Sequence, residues 1–170
     1  MKAMGQGKLL AGWKKSFIKP VRTMSLKRLL LAFLFCFLPA LSRAQEGIRF
    51  DPLNLDSARE TAGLKHRLVF VDVFTAWCRP CKLMDQEVFS QTATGSFFNA
   101  RFINIRIDAE KGTGVSIALR YLVPSFPCYL FLDPEGKLIF LAHGFCNGDQ
   151  LIAIAREALE RYPGSPGQAP

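Results

Sequence analysis

Trp77-Cys78-Arg79-Pro80-Cys81-Lys82 holds the residues whose types and spacing could do chemistry. Two cysteines separated by two residues can close a small disulfide ring and open it again. They follow Leu68-Val69-Phe70-Val71-Asp72-Val73-Phe74, a run that reads as a buried β-strand, so Cys78 falls where a strand gives way to a helix. At a helix N-terminus, unpaired backbone N–H groups and the helix dipole stabilise negative charge. The thiolate is the form of cysteine that attacks disulfides, so this location favours a nucleophile and points to thiol–disulfide exchange. Two blander roles stand beside it, a fixed disulfide and half of a zinc site. A structural zinc site needs a second closely spaced Cys/His pair. Cys128 and Cys146 are far apart, and His66 and His143 are isolated, so neither metal nor bound cofactor is expected.

Asp72 lies between Val71 and Val73, six residues before Cys78. A carboxyl buried there would hold its proton near neutrality and suit general acid–base work; the alternative is a satisfied structural acid. Cys128 and Cys146 could form a second disulfide, resolve an intermediate, or serve as buried small apolar residues. Arg79 and Lys82 are read either as cations near the thiols or as solvated helix charges.

The formal charge of +8 suggests nucleic acid until its distribution is considered. Nine of the 22 Lys and Arg fall in residues 1–44, which hold none of the 14 acids, leaving the remainder close to neutral. No phosphate-binding stripe is indicated for the folded part, and no nucleic-acid partner is expected. The basic segment reads as a secretory signal. Lys27-Arg28 precede the apolar run Leu29–Leu38, Pro39 ends it, and Ser42 and Ala44 suit a cut before Gln45. The run is shorter than the ~20 residues that span a bilayer. Met24 would give a more compact signal than Met1. The expected organisation is a leader over 1–44, a domain over 45–162, and a disordered Pro/Gly/Ser tail over 163–170. The domain would be periplasmic or secreted after cleavage near Ala44, touching membrane only through an uncleaved leader.

The elements that must position the thiols follow from pattern. Asn54 caps a helix to about Lys65, with Leu55, Ala58, Ala62 and Leu64 on its apolar face. A helix after Cys78 runs to about Phe89, with Met84 and Val88 inward and Pro80 in its first turn. Residues 90–99 form a second helical segment or turn. Phe102–Asp108 alternates as a strand, and Val115–Leu122 is helical. Asp133-Pro134-Glu135-Gly136 joins strands Pro127–Leu132 and Lys137–Ala142 as a hairpin. Asn147 and Gln150 make a capping box for a closing helix to about Tyr162. The expected fold is α/β, a mixed central sheet with helices on both faces.

The strand-then-WCxxC unit, Phe126-Pro127 before an apolar strand, the Asp-Pro-Glu-Gly hairpin and the closing helix together resemble a thioredoxin-like domain from about Ile48 to Tyr162. The segment from Phe74-Thr75-Ala76-Trp77-Cys78 to Glu87-Val88-Phe89 is similar to exported thioredoxin-like oxidoreductases and to the C-terminal domain of DsbD-type periplasmic reductases. This resemblance implies a three-layer fold and several roles. Cys78 would be the exposed attacking cysteine, Cys81 the buried resolving one, and Asp72 the acid that moves the resolving thiol's proton. Pro127 would be the cis-proline beside the site, in preference to Pro124. Trp77, Phe126 and Pro127 would contact substrate, while Arg79 and Pro80 would tune the redox potential. Asn104 would stand where cytosolic thioredoxins place a lysine near the buried acid. Partners would be disulfide-containing proteins and a membrane or periplasmic thiol electron donor. A protein-disulfide reductase is the leading expectation. The alternatives are an oxidase or isomerase using the same residues, a binding or chaperone-like module with a permanent disulfide, and a metal-handling role.

Overall fold

The computed structural model describes residues 46–162; the expected leader and tail lie outside them. In chain order the elements are α1 (Leu55–Lys65), β1 (Leu68–Phe74), α2 (Arg79–Leu83), a π-helical segment (Met84–Phe89), α3 (Thr92–Arg101), β2 (Phe102–Asp108), α4 (Gly114–Arg120), β3 (Cys128–Leu132), β4 (Leu138–His143) and α5 (Gly148–Glu160). The sheet order is β2-β1-β3-β4. β1 runs parallel to β2, reached through helices, and antiparallel to β3, while β3 and β4 form the antiparallel hairpin. This is the mixed, helix-covered sheet that the pattern predicts.

β1 is apolar on both faces because both are covered. Leu68 and Phe70 pack with Met84, Phe89, Phe98, Phe131 and Leu151, under α2, the π segment, α3 and α5. Val69, Val71 and Val73 pack with Leu55, Ala58, Ile117 and Leu130, under α1 and α4. Burying each such Leu, Val or Phe contributes ~1.5–3 kcal/mol, so β1 is the central beam of the domain. Asp72 shares the pleat of Phe70 and therefore faces the layer that carries α2.

The helix starts agree with the sequence. Asn54 accepts from the Ser57 N–H, and Asn147 and Gln150 form both halves of the capping box. Leu64 departs from expectation. It lies 80 % exposed, because nine residues after Leu55 it falls on the opposite side of the helix. The hairpin turn places Gly136 at φ 83, and Arg59 of α1 donates to the Pro134 and Glu135 carbonyls, fixing the turn to the helix.

Residues 46–51 form a strap along the α2 layer. Ile48 N–H donates to the Phe89 carbonyl at 2.7 Å, and Asp51 N–H to the Asn104 carbonyl at 2.8 Å. Asn99 accepts from the Arg49 N–H and donates to the Gly47 carbonyl. Gly95 admits the strap, since a side chain there would strike the Glu46 carbonyl. Phe50 consequently packs edge-on to Phe89 at 5.3 Å.

Candidate active site

Cys78 is the N-cap residue of α2, extended at φ −65 and ψ 104. Its amide donates to the Thr75 carbonyl, and its Sγ accepts from the Cys81 N–H at 3.1 Å. Pro80 occupies the first turn, where no intrahelical donor is needed. Cys78 and Cys81 are joined by a disulfide. Both are only 2 % exposed in this oxidised form, so the Cys78 sulfur expected at the surface is covered. Arg79 and Pro80 between them are exposed.

Trp77 is 65 % exposed, yet it is anchored. Its Nε1 donates to Glu110 Oε1 at 3.0 Å, and its ring stands edge-to-face with Phe126 at 6.1 Å. The Phe126–Pro127 peptide bond is cis, at the proline singled out from the sequence. The Pro127 carbonyl accepts from the Gly144 N–H, and Ser125 Oγ hydrogen-bonds with His143 Nδ1, so the cis-proline loop is tied to the end of β4. Trp77, next to Cys78 in the chain, is thus in ring contact with Phe126, and Pro127 behind it is buried.

The buried acid has a partner that sequence reading missed. The β1–β2 register sets Arg106 opposite Asp72, and Arg106 Nε reaches Asp72 Oδ2 at 2.9 Å. Arg106 Nη1 also reaches Asp85 Oδ1, of the π segment, at 2.9 Å. The guanidinium lies 4.5 Å from the Phe74 ring centroid and 5.2 Å from that of Phe50. Asn104, expected near the acid, sits one pleat further up β2 and donates to the Arg49 carbonyl and to Asn99 Oδ1. A charge two residues after Asn104, in phase with Asp72, was the available signal; only the register could select it.

Burial drives the Asp72 pKa up to about 7, against the lowering influence of Arg106, and Asp85 adds repulsion. Burial outweighs the ion pair because Arg106 is divided between two carboxylates and is itself partly solvated. Asp72 Oδ1 has no hydrogen-bond partner among the described residues.

The other two cysteines among the described residues, Cys128 and Cys146, are free and buried. Cys128 packs in the α1/α4 layer and Cys146 in the α2/α3/α5 layer, so the sheet separates them and no second disulfide forms. Burial pushes the Cys128 thiol up to about 12 and raises that of Cys146, which hydrogen-bonds with Tyr129. Both behave as small apolar residues. No group of three or more His, Cys, Asp or Glu is placed to hold a metal among the described residues. No described helix is long and apolar enough to cross a membrane.

The family model Thioredox_DsbH, described as "Protein of unknown function, DUF255", matches residues 40–154. The chain belongs to this family. A solution structure from Bacteroides thetaiotaomicron, named as a candidate disulphide-isomerase, is 33 % identical with a TM-score of 0.62, covering 68 % of this chain and 95 % of that one. The oxidised C-terminal domain of Neisseria meningitidis DsbD shares the fold, at 22 % identity and TM-score 0.53, covering 65 % of this chain and 98 % of that domain. In sequence, the chain is 28 % identical over 88 residues to the thiol:disulfide interchange protein DsbD of Pseudomonas fluorescens, covering 51 % of this chain and 15 % of that protein. The chain thus spans about 15 % of the length of the curated DsbD relatives it matches. Within the Thioredox_DsbH family, this chain is a thioredoxin-fold domain similar to part of the DsbD proteins.

Proposed function

We propose that the domain is a protein-disulfide reductase working by dithiol exchange. The observation that carries this reading is the closed Cys78–Cys81 disulfide at the head of α2, whose first sulfur accepts the Cys81 N–H. In the reduced form the Cys78 thiolate attacks a partner disulfide, forming a mixed disulfide and expelling one partner thiolate. Cys81 then gives its proton to Asp72, attacks the Cys78 sulfur and expels the second partner thiolate. The products are a reduced partner and the Cys78–Cys81 disulfide, and the proton on Asp72 passes on to solvent. Trp77, Phe126 and Pro127 receive the partner chain, and Arg79 and Pro80 tune the potential.

Substrates on this reading are disulfide-containing proteins, and a membrane or periplasmic thiol donor restores the dithiol. No bound cofactor is needed, because cysteine sulfur carries both electrons. The leader pattern of residues 1–44 supports export, with the working domain over 45–162. An oxidase or isomerase would use the same residues, and only the potential separates these directions. The coverage of both sulfurs favours a second reading, a binding module with a permanent disulfide.

A glutathione redox titration of the full chain, read by alkylation and peptide mass spectrometry, tests these readings. Joint titration of Cys78 and Cys81 near about −270 mV supports the reductase, whereas a value near ~−120 mV reverses electron flow. A pair that never titrates removes the enzyme reading and leaves the binding module.

A further inference from the structure

We propose that Arg106 is a positioning residue for the resolving half-reaction, holding Asp72 ready to take the Cys81 proton while sharing its charge with Asp85. The inference rests on the exchange reading above, but the geometry that motivates it does not. Three side chains run in a graded line from core to solvent: Asp72 is 1 % exposed, Arg106 27 % and Asp85 38 %. Arg106 Nε occupies Asp72 Oδ2, and Oδ1 stays buried and unpartnered among the described residues. An incoming proton therefore has one acceptor oxygen open to it. The guanidinium is held in place by the rings of Phe50, Phe74 and Phe89, with Phe50 supplied by the strap of residues 46–51.

One guanidinium serving two carboxylates gives the cluster a net charge of −1 when both are ionised, so it has reason to bind a single proton. When Asp72 takes that proton, Arg106 still neutralises Asp85. When Asp72 releases it, Arg106 carries both charges. A nearby opposite charge typically lowers a carboxyl pKa by ~1–3 units, and a like charge raises it. Arg106 and Asp85 therefore act on Asp72 in opposite directions. Without Arg106, burial alone would keep Asp72 protonated at neutral pH and unable to accept from Cys81. Tyr129, opposite Asp72 on β3, shares its face and is kept protonated by burial; Cys128 lies on the other face of the sheet, where burial also keeps it protonated, and Cys78 and Cys81 are joined here as a disulfide.

The test follows the Asp72 side-chain carboxyl by carbon NMR across pH in the oxidised full chain, comparing wild type with Arg106→Gln, Arg106→Lys and Asp85→Asn. The expected midpoint rises by about one unit or more in Arg106→Gln, returns most of the way in Arg106→Lys, and falls in Asp85→Asn. The pH profile of mixed-disulfide resolution should move with it, while the profile of the first attack by Cys78 stays in place. Midpoints that do not move, or that move the same way in Arg106→Gln and Asp85→Asn, overturn the proposal. Asp85→Asn alters a partly exposed side chain, so its downward shift decides the matter even if Arg106→Gln does not fold. The NMR titration needs no turnover. A disulfide that never exchanges would therefore remove the functional reading, whereas static midpoints would remove this inference.

Discussion

Replacing Asp72 with Asn deletes a carboxyl that folding forces into the core, and the consequence for stability has a definite sign. The Asp72 pKa rises from 3.8 in the reference state to about 7 in the folded domain. The folded state therefore holds the proton more tightly than the unfolded chain. Below the unfolded value both states are protonated and the residue carries no penalty. Between that value and about 7 the unfolded chain ionises first, so stability falls as pH rises, by ~1.4 kcal/mol per unit. Above about 7 the penalty is complete, at ~4 kcal/mol for the roughly three-unit shift. Asn is neutral throughout and shows no such slope. Any constant cost of losing the Arg106 contact cancels when the two proteins are compared across pH. Urea unfolding of the oxidised chains, followed by circular dichroism from pH 4 to pH 8.5, should show Asp72→Asn gaining ~4 kcal/mol relative to wild type over that range. Parallel stability profiles would refute the reasoning, because they would mean that Asp72 titrates alike folded and unfolded. Asp108, whose pKa a backbone N–H and Lys111 lower, contributes in the opposite sense in both proteins and drops out.

Trp77→Ala removes an exposed ring together with its Glu110 and Phe126 contacts. We expect KM for a protein disulfide to rise roughly tenfold, the size of a ~1.4 kcal/mol contact, with turnover of a small disulfide unchanged; equal loss on both substrates would contradict a docking role. Cys128 and Cys146 should resist iodoacetamide at pH 8 in the folded, reduced chain and react fully in denaturant, because burial suppresses their thiolates. Native labelling of either at the rate of Cys78 would overturn that assignment.

The legible part of this protein was the part written in local pattern. Cys78-Arg79-Pro80-Cys81 after an apolar strand, the Asn54 and Asn147 caps and the Asp133–Gly136 turn each depend on a few adjacent residues, and a mixed sheet follows from helix-containing connections beside a hairpin; the strand order does not, since β2 and β3 are joined through α4 yet are not neighbours. Phe126-Pro127 could be chosen over Pro124 because an apolar strand begins directly after it, and the cis bond lies there. Leu64 was misjudged because a short apolar list says nothing of angular position until the helix is phased.

Residue types and spacing therefore determined the fold class, the cysteine pair that closes a disulfide and the acid within the strand before it. Only the tertiary structure decided which cation meets that acid. Arg106 lies 34 residues from Asp72, and its place follows from the parallel register of β1 and β2. A slip of one residue would have turned Arg106 to the other face. The same holds for Cys128 and Cys146, which sequence left free to pair and which the sheet keeps in separate layers. Local propensity acts over one turn or one strand, whereas partner choice in the core is set by how whole elements dock, and that information is spread over the entire chain.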